Sequence, residues 1–133
     1  DKGLGLCSNG GDARGAVMQL STKRVYEPKA DSDGMRILVD RLWPRGLTKA
    51  EAAVDLWLKE IAPTTELRRW FHGDQGTWAE FSKRYLAELD GNRAVVEQLR
   101  NLIEEGPVTL LYSVKDETHN HAEVLKAHML GRA

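Results

Sequence analysis

Met35-Arg36-Ile37-Leu38-Val39-Asp40 and Val108-Thr109-Leu110-Leu111-Tyr112-Ser113-Val114 are the two stretches that decide the fold. Each is a short apolar run rich in strand-forming residues. Gly34 and Pro44 bound the first, and Gly106-Pro107 precedes the second, so both suit buried strands. Between them the apolar period changes. Leu67, Trp70 and Phe71, then Trp78, Phe81, Tyr85 and Leu89, then Val95, Leu99, Leu102 and Ile103 recur at the spacing of helix faces, with Gly73, Gly91 and Gly106 as stops. Strands joined through helices rather than a hairpin lie parallel, and the crossover is right-handed. The expected class is therefore α/β: a central, mostly parallel sheet with helices packed on it, in which Met35–Asp40 and Val108–Val114 are adjacent or nearly so.

Working outward, Lys23–Glu27 reads as a further short strand and residues 28–34 as a turn-rich loop. Thr48-Lys49-Ala50-Glu51 is a capping box. It predicts a helix carrying Val54, Trp57, Leu58 and Ile61 at i, i+3, i+4, i+7 and stopped by Pro63. Val124, Leu125, Met129 and Leu130 predict a last helix. Residues 1–20 differ from the rest, with five glycines by residue 15 and no apolar period. They read as a flexible tail or a non-native remnant, with Met18 a candidate start, ahead of a single domain at 21–133. The glycines fit neither a dinucleotide nor a phosphate-loop pattern.

Composition narrows the partners. With 133 residues the chain matches one ordinary domain. Nineteen basic side chains against 20 acidic ones leave a net charge of −1, which gives no global field to hold a polyanion, so nucleic acid is not an expected partner. No apolar run approaches the ~18–20 residues of a membrane span, and no secretory leader pattern opens the chain. Cys7 is the only cysteine, which excludes an internal disulfide and a multi-thiolate zinc site. The expected location is the cytoplasm. Oligomeric state is not written in the pattern.

Parallel strands share one carboxyl edge, and open α/β sheets bind ligands there. The two most polar segments of the chain fall on that edge. Asp40-Arg41-Leu42-Trp43-Pro44-Arg45-Gly46 supplies a carboxylate, two guanidinium groups and an indole. Lys115-Asp116-Glu117-Thr118-His119-Asn120-His121 supplies an ammonium, two carboxylates and two imidazoles at the start of a helix. Asp40, Asp116 and His121 are the candidate acids and bases, and Arg41, Trp43, Arg45, Lys115 and Asn120 the candidate substrate-binding groups. His119 and His121 with Asp116 form an alternative metal set, although two residues apart on a helix they face different sides and chelate jointly only if extended. Each has a plainer reading: Asp40 as a sheet-edge ion-pair partner, Trp43 as a packing aromatic, Arg45 and Lys115 as solvated charges, and Asp116 as a complement to a helix dipole. His72 reads as part of a helix-ending turn, and Trp57, Trp70 and Trp78 as core.

The runs Ile37-Leu38-Val39-Asp40-Arg41-Leu42-Trp43-Pro44-Arg45-Gly46, Glu66-Leu67-Arg68-Arg69-Trp70-Phe71 and Leu111 through Ala122 resemble the YeaO-like branch of domain-of-unknown-function family 488. The resemblance spans about Lys23 to Leu130 and implies an α/β fold without an agreed activity. The wider family resembles Cys-His-Arg where this chain has Asn120-His121-Ala122, so the resemblance implies no thiol mechanism here.

Three classes of function fit these residues. First is an enzyme acting on a small anionic substrate, with Arg41, Arg45 and Lys115 holding the anion and His121 or Asp116 moving protons. Second is a metal-binding protein using Asp40, Asp116, His119 and His121, whose cofactor is a divalent or ferric ion. Third is a non-catalytic binding or regulatory module.

Overall fold

Strand β1 (Leu20–Arg24), β2 (Met35–Leu38), a two-residue β3 (Leu56–Trp57) and β4 (Val108–Tyr112) form one sheet in the order β1-β4-β2-β3, with every pairing parallel. These coordinates are a computed structural model that describes residues 19–73 and 76–131. Five α-helices accompany the sheet among those residues: α1 (Lys49–Ala52), α2 (Thr65–His72), α3 (Trp78–Asp90), α4 (Arg93–Glu105) and α5 (His121–Met129). The two decisive stretches are adjacent, with Met35 opposite Val108 and Leu38 opposite Leu111. The expected single-domain α/β architecture is the one observed.

Strand alternation divides the core in two. Ile37, Val39, Leu110 and Tyr112 face the larger cluster, where they meet Leu67 of α2, Phe81, Tyr85 and Leu89 of α3, Leu99 and Ile103 of α4, and Leu125 and Met129 of α5. Leu38 and Leu111 face the opposite side and pack with Val25 and Ala52, with Trp43, Leu47 and Trp57 at the edge. Strand β4 is buried along its whole length because it has a neighbour on each side and cover on both faces. Burial at each such leucine contributes roughly 2 kcal/mol.

Two expectations change. The first strand runs from Leu20 to Arg24, not Lys23 to Glu27, and Leu20, which was placed in the tail, is buried opposite Val108. Parallel pairing along the full length of β4 outweighs the polar look of Ser21 and Thr22. The expectations for residues 1–18 lie outside the described residues.

The helix predicted from Thr48 to Ile61 is instead α1, β3 and a 3-10 turn at Lys59–Ile61. The capping box does form, with Glu51 N–H donating to Thr48 Oγ1 at 3.1 Å and Thr48 N–H to Glu51 Oε1 at 3.0 Å. Ala53 then turns left-handed at φ 51° and ends the helix. Backbone bonds from Asp55 N–H to Arg36 O and from Leu58 N–H to Leu38 O draw the following residues onto β2. The apolar spacing through Val54, Trp57, Leu58 and Ile61 therefore belongs to a sheet edge and a turn.

Arg36 anchors this corner and is fully buried. Its guanidinium donates to the carbonyls of Ala52 (2.9 Å) and Ala53 (3.1 Å), satisfying the carboxyl end of α1, and pairs with Asp33 Oδ2 at 2.6 Å. Lys23 meets the other Asp33 oxygen at 2.9 Å. Burial alone raises the Asp33 carboxyl, but hydrogen bonds from the Ala30 N–H, Lys23 and Arg36 outweigh it and hold the group at about 2.

Candidate functional site

Because β2 and β4 run the same way, the loops leaving them, 39–47 and 113–120, open on one edge of the sheet. There they line a cleft of about 670 Å³. It is completed by Ala62 and Pro63 after the 3-10 turn and by side chains of α2 and α3. All nine residues singled out from the sequence line it: Asp40, Arg41, Trp43, Arg45, Lys115, Asp116, His119, Asn120 and His121.

Asp40 is 8% exposed. The register that pairs Leu38 with Leu111 carries on to place Ser113 beside it, and Ser113 Oγ donates to Asp40 Oδ2 at 2.6 Å. His121, the first residue of α5, brings Nε2 to 3.0 Å from Val39 O and to 3.0 Å from Asp40 Oδ1. Only the contact to Val39 O has hydrogen-bond geometry. Asp40 Oδ1 sits at ion-pair distance but off the N–H direction, and it is the one buried side-chain polar atom without a hydrogen-bond partner among the described residues. A carbonyl oxygen can only accept, so Nε2 carries a proton, and in the neutral form of the ring Nδ1 is the acceptor. Nδ1 has no hydrogen-bond partner among the described residues.

Asn120 caps α5, with Oδ1 accepting from Glu123 N–H at 2.9 Å and Nδ2 donating to Asp116 O at 2.9 Å. Both ends of its amide are thus engaged within the protein. Asp116 accepts from the N–H groups of Thr118 (2.9 Å) and His119 (2.8 Å) and from the Thr118 hydroxyl (3.0 Å). The backbone bond from His119, then those from Thr118, hold its carboxyl below the usual value. That makes it a turn-forming anion rather than a proton donor.

Arg41 spends Nε on Pro63 O (3.2 Å) and Nη2 on Ala62 O (3.0 Å). Trp43 gives its indole N–H to Leu47 O at 2.7 Å and meets Trp57 edge-on at 5.5 Å. Arg45 and Lys115 are exposed, and their cationic groups have no ion-pair or hydrogen-bond partner among the described residues.

The metal set does not converge. His119 is exposed, its ring tilted against Trp78 at 5.0 Å between ring centres, while His121 is turned inward to Val39. The cause is the helix start: His119 belongs to the Asp116 turn and His121 to the first turn of α5. Among the described residues no three His, Cys, Asp or Glu side chains are grouped to hold an ion.

Several lining residues were not anticipated as site residues. Ser113 was legible only from the strand register. Arg68, Phe71 and His72 come from α2, and Trp78 and Phe81 from α3. The helical spacing of Phe71, Trp78 and Phe81 pointed to core and His72 read as a helix-ending turn, but the face that packs on the sheet extends past its edge to wall the cleft. Trp57, Trp70 and Trp78 are half-buried at the margins of the two cores rather than deep inside.

The family profile described as "Inactive DUF488-N3 subclade" matches residues 19–133. The uncharacterized protein YeaO of Escherichia coli is 52% identical over 108 residues, which cover 81% of this chain and 94% of that protein. The uncharacterized protein Rv3073c of Mycobacterium tuberculosis is 40% identical over 114 residues, or 86% of this chain and 96% of that one. No solved structure matches the chain. This α/β chain belongs to the DUF488-N3 family, in the subclade whose profile is described as inactive. No helix among the described residues is long and apolar enough to cross a membrane.

Proposed function

We propose that this protein binds a small anionic molecule in the cleft without transforming it. One observation carries the reading: Arg41, Arg45, Arg68 and Lys115 all line the cleft, and none forms an ion pair among the described residues. Two carboxylates, Asp40 and Asp116, also line the cleft, Asp40 bonded by Ser113 and Asp116 by its own turn, so the four cations outnumber them. A chain of net charge −1 thus concentrates an excess of positive charge in one concavity, where low-dielectric walls strengthen its pull on an anion.

The same geometry argues against nucleophilic catalysis. In a serine triad the imidazole stands between hydroxyl and carboxylate and takes the hydroxyl proton. Here Asp40 stands between Ser113 and His121, so the imidazole does not activate the serine. The description of the family as inactive agrees with this.

A second reading, proton transfer on the bound anion, has one observation in its favour: Asp40 beside Nε2 leaves Nδ1 of His121 poised as a base. The two readings separate by product analysis, since the first predicts that ligand is recovered unchanged after prolonged incubation.

Calorimetric titration at low salt with inorganic phosphate, pyrophosphate and citrate tests the binding itself. At least one is expected to bind in the wild type and to lose affinity ~10-fold or more in an Arg45→Gln/Arg68→Gln/Lys115→Gln variant, about 1.4 kcal/mol or more. No binding by any of them, or equal binding by the variant, overturns the proposal.

A further inference from the structure

We infer that the anion this cleft selects carries a planar aromatic ring with one N–H or O–H donor, an inference that rests on the anion-binding reading above. Three features of the cleft act on different parts of such a molecule. The cations supply the first, by holding the charged group.

The second is an aromatic wall. Trp78 is stacked near-parallel with Phe81 at 5.4 Å and 21°, Phe71 lies 4.6 Å from Phe81, and all three line the cleft. His119 extends the wall outward against Trp78. Most apolar surface of this size is buried against other protein, yet Phe71 and Trp78 are left half-buried, facing space that a ring would fill. An aliphatic anion would leave this wall wet. Stacking on a comparable aromatic is a recurrent device for holding a planar ring.

The third is an unpartnered ring nitrogen in the cleft. Nδ1 of His121 is without a partner among the described residues, and in the neutral ring it is the acceptor, because Nε2 gives its proton to Val39 O. One lone pair suits one ring N–H or hydroxyl. Behind it, Val39 O holds the imidazole through Nε2, with the Asp40 carboxylate 3.0 Å away.

A nucleoside monophosphate, through its base and phosphate, and an indole or phenol carboxylate share this chemistry. The test is a titration of the full chain, followed by tryptophan fluorescence and calorimetry, with uridine and inosine monophosphates, indole-3-acetate, and the ring-free ribose 5-phosphate and acetate as partners. The expected result is that at least one ring-bearing anion binds ten-fold or more tightly than its ring-free counterpart, and that this ratio, measured within the same protein, falls to about one in Trp78→Leu. Whether the nucleotides or the indole carboxylate show the gain distinguishes the two sources. If ring-free and ring-bearing anions bind equally, this inference falls and the anion-binding reading stands. If none binds, both fall. A His121→Gln variant, which keeps a side-chain acceptor, is expected to retain part of the gain, and His121→Leu to lose it. Equal affinity in the two variants overturns the assignment of the ring donor to Nδ1.

Discussion

At the scale of single residues, the same polar groups that suggested chemistry divide into those that hold the protein and those left for a ligand. Asn120 belongs to the first set, because both ends of its amide are used at the start of α5. Asn120→Ala is expected to lower unfolding stability by about 1 kcal/mol, the usual cost of a lost helix cap, read from urea denaturation. His121 belongs to both. It bonds Val39 O through Nε2 yet lies at the cleft, so His121→Ala is expected to cost only about 1 kcal/mol while removing selectivity among ligands. Global unfolding of that variant would make the histidine a structural residue. The sequence placed these side chains correctly on the sheet edge, because topology and local polarity coincide there. It did not show which nitrogen or oxygen remains unengaged, since that depends on carbonyls such as Val39 O and Pro63 O that carry no side-chain signature.

Elements were legible where their period was long. The helices α3 and α4, 13 residues each, announce themselves through repeated apolar positions. The segment 48–61 misled because a two-residue strand has no period to detect and because Val54, Trp57, Leu58 and Ile61 happen to fall at helical spacing. Its true cause is β2, whose backbone groups at Arg36 and Leu38 accept the bonds of Asp55 and Leu58. Ala53 holds the left-handed turn that makes this possible, a conformation in which a Cβ is unfavourable. Ala53→Gly is therefore expected to stabilise the fold by about 0.5–1 kcal/mol, and a destabilisation in urea titration would contradict it. Gly34 is the opposite case. Its φ is +66°, and a Cβ there would fall 2.2 Å from Pro107 O, at the point where Met35 N–H bonds that carbonyl. Gly34→Ala is expected to cost at least about 2 kcal/mol, in a thermal melt as in urea.

Across the whole molecule, the cluster of half-buried Lys23 with buried Asp33 and Arg36 makes stability depend on acid. Asp33 titrates at about 2 in the fold against an ordinary 3.8. A depressed carboxyl stabilises fully above its unfolded value, so its contribution is present above pH ~4 and is lost as pH falls toward 2, amounting to about 2 kcal/mol. Denaturation compared at pH 5 and pH 2.5 should show this loss in the wild type and less of it in Asp33→Asn. None of these three residues lines the cleft, so this acid loss is expected to leave the ligand site unaffected until the chain unfolds. The sheet therefore separates a corner built for stability from an edge left for recognition. The most direct test of that division is an amide NMR titration of the isotopically labelled chain with pyrophosphate and inosine monophosphate. Shifts confined to residues 40–46, 113–121 and the cleft-facing parts of α2 and α3, with Lys23, Asp33 and Arg36 unmoved, are predicted. An absence of shifts at millimolar ligand, or shifts scattered over the cleft and these three residues alike, would contradict the assignment of the cleft as an anion-binding site.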